Sequence, residues 1–563
     1  MPVARALQSC RRGRSARALV LCALSGCLGS LGSFGCADPV EPAPLRVPTP
    51  DPAPPTPPVV EPVTVSVEPF VCELPELRGR MGPFYTVPLH GGAVDSPFLA
   101  GAAAAAGDVD GDGDIDVVLG GTSGPWLFRA PDWAPERLGD VEGIAGMGIV
   151  DLDGDGDLDL YLGRYEATDA VLLNDGQGAF RNASDQLVGN RVSNSVAVSF
   201  ADIDGDGDLD GFVGSNGHAL VHDLELTIAD FPEPEPALLW INTGHELLES
   251  GLELPERVHT GFTLAGGLHD MDADGAIDLY LVNDFGTEHG GNLWCRGDGA
   301  GGFVDDEAVE SSGLNVAVAG MGLGIGDLNG DGFDDVAIPH WGGVRVLETA
   351  VSGGQPVWFD HTIQRLPQPF GANNIAWGAE LADFDADGRL DLYVHFGYAD
   401  FGVRWPNPAL QRDRLFLSGE PSEPFREVAG PWGLASTDSH RGSVVADMNG
   451  DGWLDVLRPS LTGESVLLLS RCGEGGGAVV SLEMPGENPF AIGARVRLVT
   501  ETADQLRTVR SGGTNYGTSG PPDAHFGVGD ATQATVEVVW PDGEVTVHEG
   551  LDVPAHLRIR RTQ

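Results

Sequence analysis

Seven stretches of this chain place aspartate and glycine at a spacing that can wrap a hard cation in oxygen. They are nine residues long and begin at Asp108, Asp151, Asp202, Asp270, Asp327, Asp383 and Asp447. Position 3 is Asp110, Asp153, Asp204, Asp272, Asn329, Asp385 or Asn449. Position 5 is Asp112, Asp155, Asp206, Asp274, Asp331, Asp387 or Asp451. Position 9 is Asp116, Asp159, Asp210, Asp278, Asp335, Asp391 or Asp455. Position 6 is always Gly. Position 7 varies freely: Asp114, Asp157, Asp208, Ala276, Phe333, Arg389 and Trp453. Calcium loops of the EF-hand type use side-chain oxygens at 1, 3 and 5, a backbone carbonyl at 7, and Gly at 6 for the turn. A backbone ligand is indifferent to its own side chain. The pattern therefore predicts Ca2+ in up to seven loops, with the position-9 aspartate as closing acid. A single copy reads equally as a solvated turn; seven in register do not. The first three loops, with five acids each, are expected to bind tightest and the last weakest.

The flanks say what holds the loops. Position 2 is always apolar, and position 8 is apolar except at Asp334. Short runs follow, such as Val117-Val118-Leu119, Leu160-Tyr161-Leu162 and Leu392-Tyr393-Val394, which suit buried strands. An EF-hand needs flanking helices and Glu at position 12, where this chain has Leu119, Leu162, Val213, Leu281, Ile338, Val394 and Arg458. That reading fails. The loops start 43 to 68 residues apart, room for about four short strands each. Four-stranded sheets packed radially in a ring bury both faces, so the expectation is an all-β, seven-bladed β-propeller with one calcium loop per blade. A stacked solenoid is the alternative. The blades resemble the FG-GAP/VCBS repeats of integrin α-chain heads and bacterial surface proteins. The resemblance extends to Leu172-Leu173-Asn174-Asp175-Gly176-Gln177-Gly178-Ala179-Phe180.

From about Arg471 the acidic loops stop. Alternating runs at Val479–Met484, Ala494–Val499, Gln505–Val509 and Thr535–Trp540 predict a small β-sandwich-like domain over 471–563. Three segments resemble the ASPIC/UnbV domain: Asn488-Pro489 with Ile492-Gly493-Ala494-Arg495-Val496, His525-Phe526-Gly527-Val528-Gly529, and Val536 to Gly543. Combined with the blades, they resemble the cartilage acidic protein family, which implies an extracellular calcium-binding or adhesion protein. His525 is read as capping a core strand, and Trp540 as core packing.

The N-terminus is read as addressing and spacing. Residues 1–36 carry Arg5, Arg11, Arg12, Arg14 and Arg17, then the apolar Ala18–Leu24, as in a signal peptide. Leu24-Ser25-Gly26-Cys27 resembles a bacterial lipobox, and Ser33-Phe34-Gly35-Cys36 is a second candidate. An ordinary cleaved signal is the alternative. Residues 37–66 form a proline-dense tether, and 67–470 are assigned to the propeller. A lipid anchor followed by a spacer implies the cell envelope or outer-membrane surface, with the membrane touched only through lipid. Cys72 and Cys472 bracket the ring and are candidates for a disulfide across its closure.

The formal charge of −52, without a single lysine, opposes nucleic acid and anionic lipid as partners. The expected function is a calcium-dependent surface protein that binds an unidentified extracellular protein or glycan. Candidate contacts are Asn283, Asp284, His340, Trp341, His395 and Tyr398. An extracellular propeller hydrolase acting on glycan or phosphoester is the first alternative, and an envelope assembly scaffold the second. No G-x-S-x-G, H-E-x-x-H or phosphate loop supports catalysis, so the chain is read as a non-enzyme.

Overall fold

The last aspartate of every acidic loop opens a strand: Asp116, Asp159, Asp210, Asp278, Asp335, Asp391 and Asp455 are each the first residue of the strand that follows. The computed structural model describes residues 63–70, 84–89 and 103–562, apart from 218–233, 244–246, 250–253, 287–289, 305–306, 353–354, 367–369, 372, 398–410, 421–422, 462–463 and 471–474. It is nearly all β, with 47% strand and 4% helix. Each post-loop strand pairs antiparallel with the strand before its loop. These innermost strands are Ala104–Gly107, Ile144–Val150, Val192–Ala201, Phe262–His269, Gly324–Gly326, Ala376–Ala382 and Val444–Ala446. Two further strands extend each pair, and these groups, called sheets 1 to 7, follow one another along the chain. Sheets 2 and 3 are joined edge to edge, Asp159–Thr168 with Val192–Ala201, in one ten-stranded sheet. The seventh is completed from the other end: Tyr85–Pro88 pairs with Val466–Leu469.

Apolar faces hold successive sheets together. Val118, Leu127, Ile149 and Leu160 join sheets 1 and 2; Tyr161, Phe200 and Trp240 join 2 and 3; Phe212, Leu239 and Leu279 join 3 and 4. Tyr280, Trp294 and Trp358 join 4 and 5; Val346, Leu392 and Phe416 join 5 and 6; Tyr393, Leu415 and Val456 join 6 and 7. Val117, Phe128, Leu457 and Leu467 then return from sheet 7 to sheet 1. The arrangement is propeller-like, because a sheet exposing two apolar faces is satisfied only between two neighbours. Small residues permit the close approach: a Cβ on Gly146 would lie 2.3 Å from the Val196 carbonyl oxygen of sheet 3.

The C-terminal region forms two more four-stranded sheets. Arg495–Val499, Asp504–Thr508, Gln533–Val539 and Val545–Asp552 make one. Gly477–Glu483, Asp523–Gly527 and His556–Arg560 make the other, whose edge strand is Thr64–Glu68. This corrects the sequence boundaries, which place residues 64–66 in the tether and open the propeller at 67. The partner of Thr64–Glu68 lies almost five hundred residues away, and local alternation cannot reveal it. Cys27, Cys36, Cys72, Cys472 and Tyr398 lie outside the described residues. No helix among the described residues is long and apolar enough to cross a membrane.

A loop from this C-terminal module enters the ring, and residues 511–519 touch the innermost strand of every sheet or the residue beside it. Gly512 and Ser511 pair with Ser199 and Phe200 of sheet 3. Thr518 and Ser519 pair with Ala104 and Ala105 of sheet 1. Ser511 Oγ donates to the Ile149 carbonyl of sheet 2 at 2.8 Å, and Gly513 abuts Gly267 of sheet 4. Asn515 donates its backbone N–H to Leu323, at the edge of sheet 5. Its side-chain amide donates to Glu380 of sheet 6 and to the carbonyl of Ser443, at the edge of sheet 7. Tyr516 is fully buried among Val196, Leu264, Met321, Ile375 and Trp377.

Glu380 makes this plug sensitive to pH. Burial pushes its carboxyl up to about 8, opposed by the Asn515 and Ser443 hydrogen bonds and by Arg510. A carboxyl whose folded pKa is raised stabilises the fold at low pH, and that contribution is lost as pH rises through about 8. The melting temperature is therefore expected to fall between pH 6 and pH 9. Glu380→Gln should flatten that slope; an equal slope in both proteins would remove Glu380 as its source.

Candidate metal centres

The loops are built by backbone N–H groups closing on the first and last carboxylates. In all seven, Oδ2 of position 1 accepts the N–H of the position-6 Gly at 2.7–3.1 Å. That glycine has φ between 86° and 99°, left-handed backbone that side chains disfavour, which explains its invariance along the chain. Oδ1 of position 5 accepts the N–H of position 7.

Position 9 has a fuller role than the closing acid read from the sequence. Its Oδ2 accepts the N–H of position 2. Its Oδ1 accepts an N–H from the third strand, at or just beyond its end from Ala130, Asn174, Asn242, Gly297, Ser418 or Ser470, and inside it from Thr349. These aspartates are at most 2% exposed. Each ties its loop to its sheet, and burial pushes Asp159 and Asp278 up to about 8. A carboxylate keeps lone pairs beyond two hydrogen bonds, so position 9 can still face a cation.

Oxygens converge at the loop centres. One carboxylate oxygen from each of Asp108, Asp110 and Asp116 lies within 4.8 Å of the others, as do those of Asp151, Asp153 and Asp159, of Asp202, Asp204 and Asp206, and of Asp270, Asp272 and Asp278. Oδ1 of Asp110, Asp153, Asp208 and Asp272 is buried without a hydrogen-bond partner. Buried acceptors left in this state are costly unless something else meets them. The donor set, all oxygen with an open backbone carbonyl at position 7, fits a hard divalent cation. Asn changes the fifth and seventh loops. The Asn329 amide donates to the Thr349 carbonyl, Thr349 Oγ1 donates to Asp331 and Asp335, and the Asn449 amide donates to Asp451. In these two loops, protein donors occupy oxygens that point inward elsewhere.

Position-7 side chains differ from loop to loop: Asp208 places a buried, unpartnered oxygen at its loop. Arg389 pairs with Asp387, and Trp453 is buried against Ala386. Only the carbonyls of Ala276, Phe333, Arg389 and Trp453 are available as ligands.

The C-terminal module sits on these loops. Arg495 donates to the Gly332 carbonyl at 2.8 Å, Gly477 N–H to Gly452, and Gly529 N–H to Ala386. His525, read from sequence as a strand cap, reaches the Gly452 carbonyl through Nε2 at 3.2 Å. Asp334, the acid in an otherwise apolar column, receives Arg510 at 3.3 Å and His269 at 3.1 Å. It is the ionic socket for the plug: burial alone would push its carboxyl up, but the Arg510 guanidinium and the His269 contact outweigh burial and hold it well below the usual range. Sequence reasoning passed over it, although the broken column was the available signal. Of the expected contact residues, Asn283, Asp284 and His395 are buried, while Trp341 is 42% exposed beside His340. All lie at the ends of the second strands away from the acidic loops.

Residues 484–563 match the family model described as ASPIC and UnbV. Residues 108–162 and 151–213 match the FG-GAP-like repeat. The chain carries both modules. It is 29% identical over 280 residues to cartilage acidic protein 1 of Xenopus tropicalis, covering 48% of this chain and 40% of the relative. With the human protein it shares 28% over 278 residues, again 48% of this chain and 39% of the relative. The match thus spans well under half of either relative's length. Among solved structures, an Agrocybe aegerita protein recognising non-reducing terminal N-acetylglucosamine aligns at TM-score 0.39 and 19% identity, over 63% of this chain and 88% of that one.

Proposed function

We propose that the chain is an exported, calcium-loaded binding protein whose FG-GAP-like sheets are clamped by Ca2+ and whose ASPIC/UnbV module caps the loop-bearing end. The observation that carries this reading is the set of buried carboxylate oxygens without partners at loop centres. The ligands are the acids or Asn at positions 1, 3 and 5 and the carbonyl at position 7, with position 9 behind them. Calcium supplies charge neutralisation there, and a cation enclosed by protein oxygens is not placed for catalysis.

With the acidic end under the module, partner binding belongs to the opposite end, where His340 and the exposed Trp341 lie. Aromatic side chains are common anchors for protein and glycan partners. Anchoring through an acylated Cys27 or Cys36 is part of the same proposal. The experiment is a glycan and extracellular-protein array probed with the soluble chain, with and without calcium. A ligand that requires calcium and is lost in Trp341→Ala supports the reading; turnover of a glycan or phosphoester would replace it with the enzyme alternative.

A further inference from the structure

Away from the acidic loops, sheets 6 and 7 share a buried cluster of a different chemical kind. His395 is the last residue but one of the second strand of sheet 6, Asp413 precedes its third strand, and His440 leads into sheet 7. All three are at most 1% exposed. His440 Nδ1 lies 2.8 Å and His395 Nδ1 3.7 Å from the same oxygen, Asp413 Oδ2. The three candidate ligand atoms lie within 4.8 Å of one another. Yet neither Nδ1 makes a hydrogen bond of acceptable geometry. Two buried imidazole nitrogens converge on one carboxylate oxygen without a well-aligned hydrogen bond.

Sheet 2 supplies an internal control. Asp169 occupies the place of Asp413, before the third strand and beneath a tyrosine at the same loop offset. It accepts Tyr161 Oη and Ser195 Oγ at 2.8 Å each and Arg164 N–H at 2.9 Å. That acid is satisfied by ordinary donors. In sheet 6 the backbone bond persists, from Phe396 N–H at 2.9 Å, but Tyr393 Oη has withdrawn to 3.4 Å. The residue matching His395 in sheet 2 is Gly163.

We propose that His395, Asp413 and His440 form a site for one zinc-class divalent cation that pins sheet 6 to sheet 7. Two imidazoles and a carboxylate are the ligand chemistry of zinc and its transition-metal neighbours, whereas calcium selects oxygen. Ligands at about 2.0–2.2 Å from a tetrahedral ion stand roughly 3.4 Å apart, which the observed 2.8 and 3.7 Å bracket. Ser443 Oγ, 2.8 Å from His395 Nε2, can accept its N–H and leave the Nδ1 lone pair facing the cluster, the outer-shell arrangement typical of metal-bound histidine. A proton on His440 Nδ1 moves to Nε2 or to solvent as the metal binds. Arg458, the odd residue at position 12 of the seventh loop, holds Nη1 3.6 Å from Asp413 Oδ2 and donates to Leu434 O at 3.1 Å. Its positive charge, this close to the cluster, weakens cation affinity.

The test is zinc retention by the full chain after dialysis in excess calcium, together with Co2+ titration followed by visible absorption. One zinc per chain and the intense bands of tetrahedral Co2+ are expected. His395→Gln and His440→Gln should each weaken zinc binding by at least about 100-fold, beyond the 10–100-fold typical of outer-shell changes. Arg458→Met should tighten it severalfold, an outcome that a purely structural ion pair does not produce. Absence of both zinc and the Co2+ bands in the unaltered chain overturns the proposal, whether or not the histidine variants fold. Zinc retained by the double histidine variant overturns it as well.

Discussion

Removing calcium is expected to lower the melting temperature by roughly 10 °C. At about tenfold excess over its dissociation constant, each filled site contributes about 1.4 kcal/mol, and seven about 10 kcal/mol. That is comparable with the net stability of a whole domain, about 5–15 kcal/mol. For sheets that unfold together, an entropy of about 2.1 cal/mol/K per residue converts 10 kcal/mol into roughly that shift. The structural reason is the crowding of carboxylates around each centre, with Asp116, Asp159, Asp210 and Asp278 buried behind the others. Chelation should also loosen the C-terminal module, whose Arg495, Gly477 and Gly529 bond directly to loop carbonyls. The measurement is a calorimetric melt with elemental analysis. A transition that does not move once calcium is shown to be gone would refute the proposed clamp.

Tyr516→Ala is expected to cost about 3–5 kcal/mol, the usual range for removing a large buried aromatic side chain. Tyr516 meets Trp377 edge-on at 6.0 Å, and its neighbours come from inner segments of sheets 3, 4, 5 and 6. The cavity would therefore open on the axis, where no single sheet can collapse to fill it. Tyr516→Phe keeps the ring and should cost far less. Denaturant melts followed by tryptophan fluorescence would read both. If the Ala variant came within 1 kcal/mol of the parent, the loop would be an ornament of the ring, not part of its core.

The seven loops and the strands after them were legible because both are local: nine residues contain the turn, its glycine and its inward oxygens. The all-β class followed from the same short repeats. Three features were not legible. Thr64–Glu68 and Tyr85–Pro88 are strands whose partners lie hundreds of residues away, and four or five residues carry no sign of a distant edge. The axial loop reads as a Gly-rich turn, Gly512-Gly513-Thr514-Asn515-Tyr516-Gly517; its burial comes from the seven sheets around it. The pairing of Asp334 with Arg510 crosses 176 residues, so sequence could mark the acid as anomalous without naming its partner.

By itself, then, the order of residues determined the repeating unit, the chemistry each loop can offer, and the change of pattern near residue 471. Tertiary structure decided which end of the ring is covered, that His395 and Asn283 face inward while Trp341 faces solvent, and that two histidines from different sheets meet one buried acid. The division has a physical cause. Turns and alternation are short-range properties of the backbone, whereas burial and side-chain convergence depend on what closure of a ring brings together from distant parts of the chain.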